Sequence, residues 1–160
     1  MGWFSFSSKT PPAPEAPVGR LLLASEGRPF STAAINRAAA LAAPGATVEV
    51  LSIARIWGSS FGFPNPWLLP SQREWEAQRV EVDRAIAALA RRGVSATGRV
   101  VGSRNAAGRV AKEAKRLSAE AIVMGADPGP PGLFASLLWS AEPYRVCTQA
   151  RGVPVALAVE

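Results

Sequence analysis

The chain has no histidine and a single cysteine, Cys147. Without imidazole there can be no Ser-His or Cys-His nucleophile pair, and no His-based metal binding or proton shuttling. A lone cysteine permits no intrachain disulfide, and nothing in the spacing of residues resembles a zinc site. Any catalysis would have to rest on carboxylates, Arg, Lys or backbone amides, which counts against a hydrolase. Long apolar runs are also missing: none approaches the ~18–20 residues needed to span a bilayer. The N-terminus shows no basic stretch leading into an apolar core, as a secretory signal would. A cytoplasmic protein with no membrane partner is the resulting expectation.

What is present is enough to fold. The 160 residues are 48% hydrophobic, which suits one domain with a real core. The net charge of +6 invites a nucleic-acid reading. However, Arg73, Arg79, Arg84, Arg91 and Arg92 are dispersed among Glu74, Glu76, Glu81 and Asp83, the pattern of a solvated helix face. No nucleic-acid partner is expected.

Residues 1–18, MGWFSFSSKTPPAPEAPV, have no period and read as a proline-rich tail, disordered or docked on a partner through Trp3, Phe4 and Phe6. From 19 to 160 the chain alternates as one domain. Apolar RLLLAS (20–25) predicts a strand buried on both faces, and alanine-rich 31–43 a helix that Pro44-Gly45 stops. A strand over 47–56 precedes a long helix over 72–93, with Trp75, Val82, Ile86 and Leu89 at helical spacing and Gly93 at its C-cap. A strand (94–102), a helix (105–118), a strand (119–125), a short helix (140–151) and a fifth strand (152–160) complete the pattern. Five strands alternating with four helices specify an α/β domain with an open, mostly parallel sheet and helices on both faces, Rossmann-like in class.

GRLLLASEGRPFSTAAINRAAALA near the start and AEAIVMGADPGPPGLFASLLWSAEPYRVCTQARGVPVALAV at the end resemble the two halves of a universal stress protein domain. The resemblance covers roughly 19–160 and is weakest between 57 and 71. It implies the strand order 3-2-1-4-5, so that chain order reverses between strands one and four. Ligands of open α/β sheets bind beyond the strands' carboxyl ends at such a point. The implied site comprises Ser25, Glu26 and Gly27 after strand one, Ile53 on strand two, and Gly125, Gly129, Gly132, Trp139, Ser140 and Ala141 after strand four.

Nucleotide-binding members of the family carry a glycine, two residues, a glycine, nine residues, then Gly-Ser or Gly-Thr. Glycines let the backbone approach phosphate, and the serine opens a helix whose amides face the anion. Here Gly125 and Gly129 are separated by three residues instead of two, and Trp139-Ser140 stands in place of Gly-Ser. Pro128, Pro130, Pro131 and Pro143 have no amide to donate, Glu142 adds negative charge, and Asp127 would need a cation or Arg28 nearby to tolerate phosphate. The Trp139 indole either occupies triphosphate space or packs outward on a neighbouring loop. Adenosine triphosphate is therefore expected to bind weakly or not at all, and an adenine nucleotide held weakly is the one cofactor the resemblance leaves open.

The segment 57–70 concentrates Trp57, Phe61, Phe63 and Trp67 and is expected to form an ordered satellite cluster in preference to a lid. The resemblance implies a non-catalytic regulatory or binding module with a degenerate nucleotide crevice. Two alternatives stand beside it: a ligand-free dimeric interaction protein, and a slow Mg²⁺-dependent nucleotide hydrolase using Glu26 or Asp127. A homodimer through the apolar strand 152–160 is expected, because the implied strand order leaves that strand at a sheet edge.

Overall fold

The computed structural model describes residues 14–56, 69–126, 146, 149, 150 and 152–159. Eight elements follow in the order β1 (Val18–Ser25), α1 (Thr32–Leu41), β2 (Ala42–Arg55), α2 (Gln72–Ala90), β3 (Ala96–Ser103), α3 (Ala106–Leu117), β4 (Ala121–Ala126) and β5 (Val155–Val159). The strands form one sheet ordered β3-β2-β1-β4-β5. All four neighbouring pairs are parallel. Order and class are those expected.

Because successive side chains of a strand face opposite ways, the continuous apolar runs feed two separate cores. Leu21 and Leu23 join Val48, Val50 and the inner faces of α1 and α2. Leu22 and Ala24 join Leu51, Ile53, the inner face of α3, and Val146 and Ala150. The three central leucines of β1 are wholly buried, as a strand covered on both faces requires.

Several boundaries differ from expectation for local reasons. The first helix ends at Leu41, and the chain enters β2 at once, at Ala42. Val18 pairs with Ala42 and Arg20 with Thr47, so five positions on β2 answer two on β1. Pro44-Gly45 lies inside that irregularity: it bends the start of a strand instead of forming a free loop, and proline has no amide for a regular ladder. The helix α2 stops short of 93, yet Gly93 acts as expected. Gly93 N–H donates to the Ala90 carbonyl (2.9 Å) and Val94 N–H to that of Leu89 (3.0 Å), with Gly93 at φ 78°. That paired closure needs a left-handed residue, which glycine supplies without a side-chain clash. Strand β5 is shorter than 152–160 because Gly152 (φ 81°) and the Val153-to-Ala150 bond still belong to the preceding turn. Of the expected helix 140–151, Val146 and Gln149 are helical and the Ala150 amide donates to the Val146 carbonyl. Its other residues, the tail residues 1–13 and the aromatic segment 57–68 lie outside the described residues. Among the described residues no helix is long and apolar enough to cross a membrane.

On the α3 side, five charged residues cross-link three elements. Glu113 of α3 accepts from Arg116 Nε (2.7 Å) and from Arg99 of β3, and pairs with Arg109 (3.0 Å). Arg116 also donates to both oxygens of Glu49 on β2 (2.9 and 2.8 Å), and Arg99 Nε reaches the same carboxylate (3.0 Å). Burial pushes the Glu113 carboxyl up, but the Arg116 hydrogen bond and the charges of Arg99, Arg109 and Arg116 outweigh it. The net effect holds Glu113 below the ordinary carboxylate value.

Candidate functional site

Strand β1 ends at Ser25 and Glu26 follows it directly; both polar residues are buried. Burying a carboxylate is unfavourable unless it is paired. Glu26 Oε1 accepts from Arg28 Nε at 2.6 Å, and Ser25 Oγ donates to the Arg28 carbonyl at 2.5 Å. The four residues 25–28 thus form a compact turn held by its own side chains.

Gly27 sits in this turn at φ 102°, and a Cβ there would lie 2.9 Å from the Ile53 carbonyl oxygen. Conformation and space both exclude a side chain at this position. From the other side Gln78 of α2 donates to the Gly27 carbonyl (2.8 Å) and accepts from the Ser52 hydroxyl. The turn is therefore anchored to β2 and α2 as well as to itself. Ser31 caps α1 by accepting from the Ala34 amide (3.1 Å), and Arg84 Nη2 donates to the Phe30 carbonyl (3.2 Å).

Two clefts meet at Glu26. The larger, about 410 Å³, lies between the ends of β1 and β4 and is lined by Ser25, Glu26, Arg28, Ser31 and Gly125 among others. The smaller, about 180 Å³, lies between β2 and α2, with Gly27, Ile53, Glu74 and Gln78 in its wall. The larger falls within the ~300–1,000 Å³ usual for small-molecule sites. It occupies the point where chain order reverses across the sheet, β2-β1 on one side and β4-β5 on the other.

Half of the expected site is thus brought together. Ser25, Glu26 and Gly125 line the larger cleft, Glu26, Gly27 and Ile53 the smaller. Gly129, Gly132, Trp139, Ser140 and Ala141 lie outside the described residues. Sequence reasoning missed Gln78 as a site residue and named Arg28 only as a cation beside Asp127, not as part of the site. Arg28 was signalled by its place between a strand end and the Ser31 cap. Gln78 was signalled by helical phase, since 78, 82, 85 and 89 recur on one face of α2.

A scan against protein-family models matches the Universal stress protein family over residues 17–137. The chain belongs to that family. Among solved structures, a universal stress protein family member from Burkholderia pseudomallei is 25% identical, covering 87% of this chain and 94% of its own at a TM-score of 0.61. The universal stress protein from Archaeoglobus fulgidus in complex with dAMP is 15% identical, covering 88% and 98%, TM-score 0.61. A universal stress protein in complex with cAMP is 22% identical, covering 90% and 98%, TM-score 0.60. The search of curated proteins returned no match. At these identities the last two structures bear on fold alone, and the family model carries the assignment.

Proposed function

We propose that this universal stress protein is a non-catalytic regulatory module whose crevice takes a small adenine nucleotide and grips its phosphate end weakly. The observation that carries the reading is the cleft of about 410 Å³ at the β1/β4 reversal, walled by Ser25, Glu26 and Gly125. Support comes from two relatives of the same fold whose structures hold dAMP and cAMP. Weak phosphate contact follows from Pro128, Pro130, Pro131 and Pro143, which remove amide donors from the segment after β4. The absence of histidine from the sequence favours binding over turnover.

The test begins with the purified protein: denaturation followed by mass spectrometry of the released small molecules identifies any resident nucleotide. Calorimetry then compares AMP, cAMP and Mg-ATP, and the monophosphates are expected to bind more tightly. Low-micromolar affinity for Mg-ATP would overturn the weak grip on phosphate. Steady hydrolysis that disappears in Glu26→Gln would overturn the non-catalytic reading. If the Trp139 indole obstructs a triphosphate, Trp139→Gly raises Mg-ATP affinity; no gain assigns the weakness to the prolines.

Assembly as a homodimer through β5 belongs to the same proposal. Among the described residues strand β5 pairs only with β4, and its Val159 is half exposed. An apolar sheet edge left open invites association, and a twofold axis covers both copies with one contact. Light scattering is expected to give twice the chain mass, falling to the monomer in Val159→Lys. A monomer at all concentrations would remove this part of the proposal.

A further inference from the structure

Strand β3 closes the sheet on the side away from β5 and, among the described residues, pairs only with β2. Natural proteins usually blunt such an edge with proline, lysine, a bulge or a covering element. The β3 sequence ATGRVVGS has neither proline nor lysine, and its ladder to β2 runs from Ala96 to Ser103 without a bulge. Its one charge, Arg99, is turned onto the sheet face, where it donates to Glu49 (3.0 Å) and to Glu113. The two faces beside this edge differ in chemistry. Gly98 and Val100 face α2, whereas Arg99 and Val101 face α3, as strand alternation requires. On the α2 face a cleft of about 380 Å³ is walled by Val82, Asp83, Gly98 and Val100 among others. On the α3 face stand Arg99, Arg109, Lys112 and Arg116, against Glu49 and Glu113, whose side chains are only 12% and 3% exposed. Arg99 and Arg116 engage those acids through Nε and Nη2 alone. Among the described residues, Nη1 of both and the exposed Lys112 ammonium therefore have no acceptor.

We propose that the β3 edge docks an extended acidic segment of a partner protein, which adds as a further strand. Its carboxylates, on every second residue, face Arg99 and Arg116; the small apolar residues between them face the α2 cleft. In such strand addition the main chain supplies affinity and the alternate side chains supply specificity. Each unengaged Nη1 offers two N–H donors to a carboxylate, and hydrogen bonds between ionised groups are the stronger kind. A second copy of this chain fits the edge poorly. Pairing β3 with β3 about a twofold axis brings both sets of cations to the same side of the joined sheet, and like charges across a strand pair destabilise it. Nucleic acid fits poorly for another reason: residues 94–126 contain no Phe, Trp or Tyr on which a base could stack. A phosphate backbone also leaves the free amides and carbonyls of a strand edge without their natural complement.

The experiment titrates the full chain with a capped peptide of about nine alternating Glu and Val residues. Controls are a peptide of the same composition with Glu and Val in separate blocks, and a short DNA duplex. Fluorescence anisotropy gives the affinities, and amide exchange followed by NMR reads β3. The alternating peptide is expected to bind roughly ten-fold more tightly than the block peptide, the equivalent of one or two net hydrogen bonds. It should also slow exchange at every second amide of β3, the signature of an added strand. Lys112→Glu, which disturbs no contact of the fold, is expected to weaken the alternating peptide by about two- to five-fold, the range of an exposed ion pair. Equal binding of the two peptides with β3 exchange unchanged overturns strand docking and leaves a diffuse cationic patch. Tighter binding of the duplex than of either peptide overturns the choice of partner, as does full affinity in Lys112→Glu. Binding of no probe overturns the proposal outright.

Discussion

Two regions of this molecule bury a glutamate against arginine, and they do so to different ends. At the carboxyl ends of the strands Glu26 meets Arg28 two residues away, within one turn, on the wall of a cleft. Beneath α3, Glu113 and Glu49 are bridged by Arg99 and Arg116 across β2, β3 and α3, with Arg109 added. Each carboxylate there has more than one partner, and the partners come from different elements. Removing Glu49, Glu113, Arg99 or Arg116 takes a partner from at least two others, so the cluster acts as a structural clasp. The Glu26–Arg28 ion pair itself joins two residues of one turn. Its arginine is part-exposed and forms part of the cleft wall. A buried ion pair in itself therefore says little about function; the elements it joins and the space it faces decide.

The comparison breaks most directly at Glu113. Glu113→Ala leaves three arginines without their shared acceptor and is expected to cost about 3 kcal/mol, the lower end for breaking a buried pair because the guanidiniums are part-exposed. Urea denaturation measures this, and affinity for a crevice ligand should hardly change. An equal fall in affinity would mean that the two regions are one cooperative unit. The same residue predicts a pH dependence. Its folded-state value is depressed from 4.5, so its stabilising contribution is complete above that value and is lost as pH falls through the lower one. Wild type is thus expected to lose stability more steeply on acidification below about pH 5 than Glu113→Gln, which cannot titrate there. Parallel acid profiles would remove the clasp.

Gly27→Ala acts on the other region. At φ 102° and 2.9 Å from the Ile53 carbonyl, a methyl group is expected to cost about 2 kcal/mol. It should also weaken crevice binding, because the turn carrying Glu26 and Arg28 must move. A variant of wild-type stability and affinity would show that the turn relaxes freely. Gln78→Leu is the mildest change. It removes the partner of the Gly27 carbonyl and the Ser52 hydroxyl, at about 1 kcal/mol. Its sharper readout is a loss of crevice affinity with thermal stability nearly kept; the reverse pattern would make Gln78 part of the core alone.

The alternation of elements was legible in the sequence because hydrophobic period is a local property. Ile35 and Ala38 of α1, Val82 and Leu89 of α2, and Val110 and Ala114 of α3 face inward as their spacing requires. The glycine that ends α2 was legible too, since a helix stop depends on the conformation of one or two residues. The strand order did not follow from period. It entered through the family resemblance, and the ladders bear it out. What only the tertiary structure decided are the pairings between distant positions. Gln78 reaches Gly27 across 51 residues and Arg116 reaches Glu49 across 67. No local rule singles out such partners, because charged and amide side chains are long and many candidates of the right type exist. Sheet register brings Glu49 and Arg99 onto one face, and the packing of α2 on β2 brings Gln78 to the crevice turn. Those distances exist only once the two cores have closed.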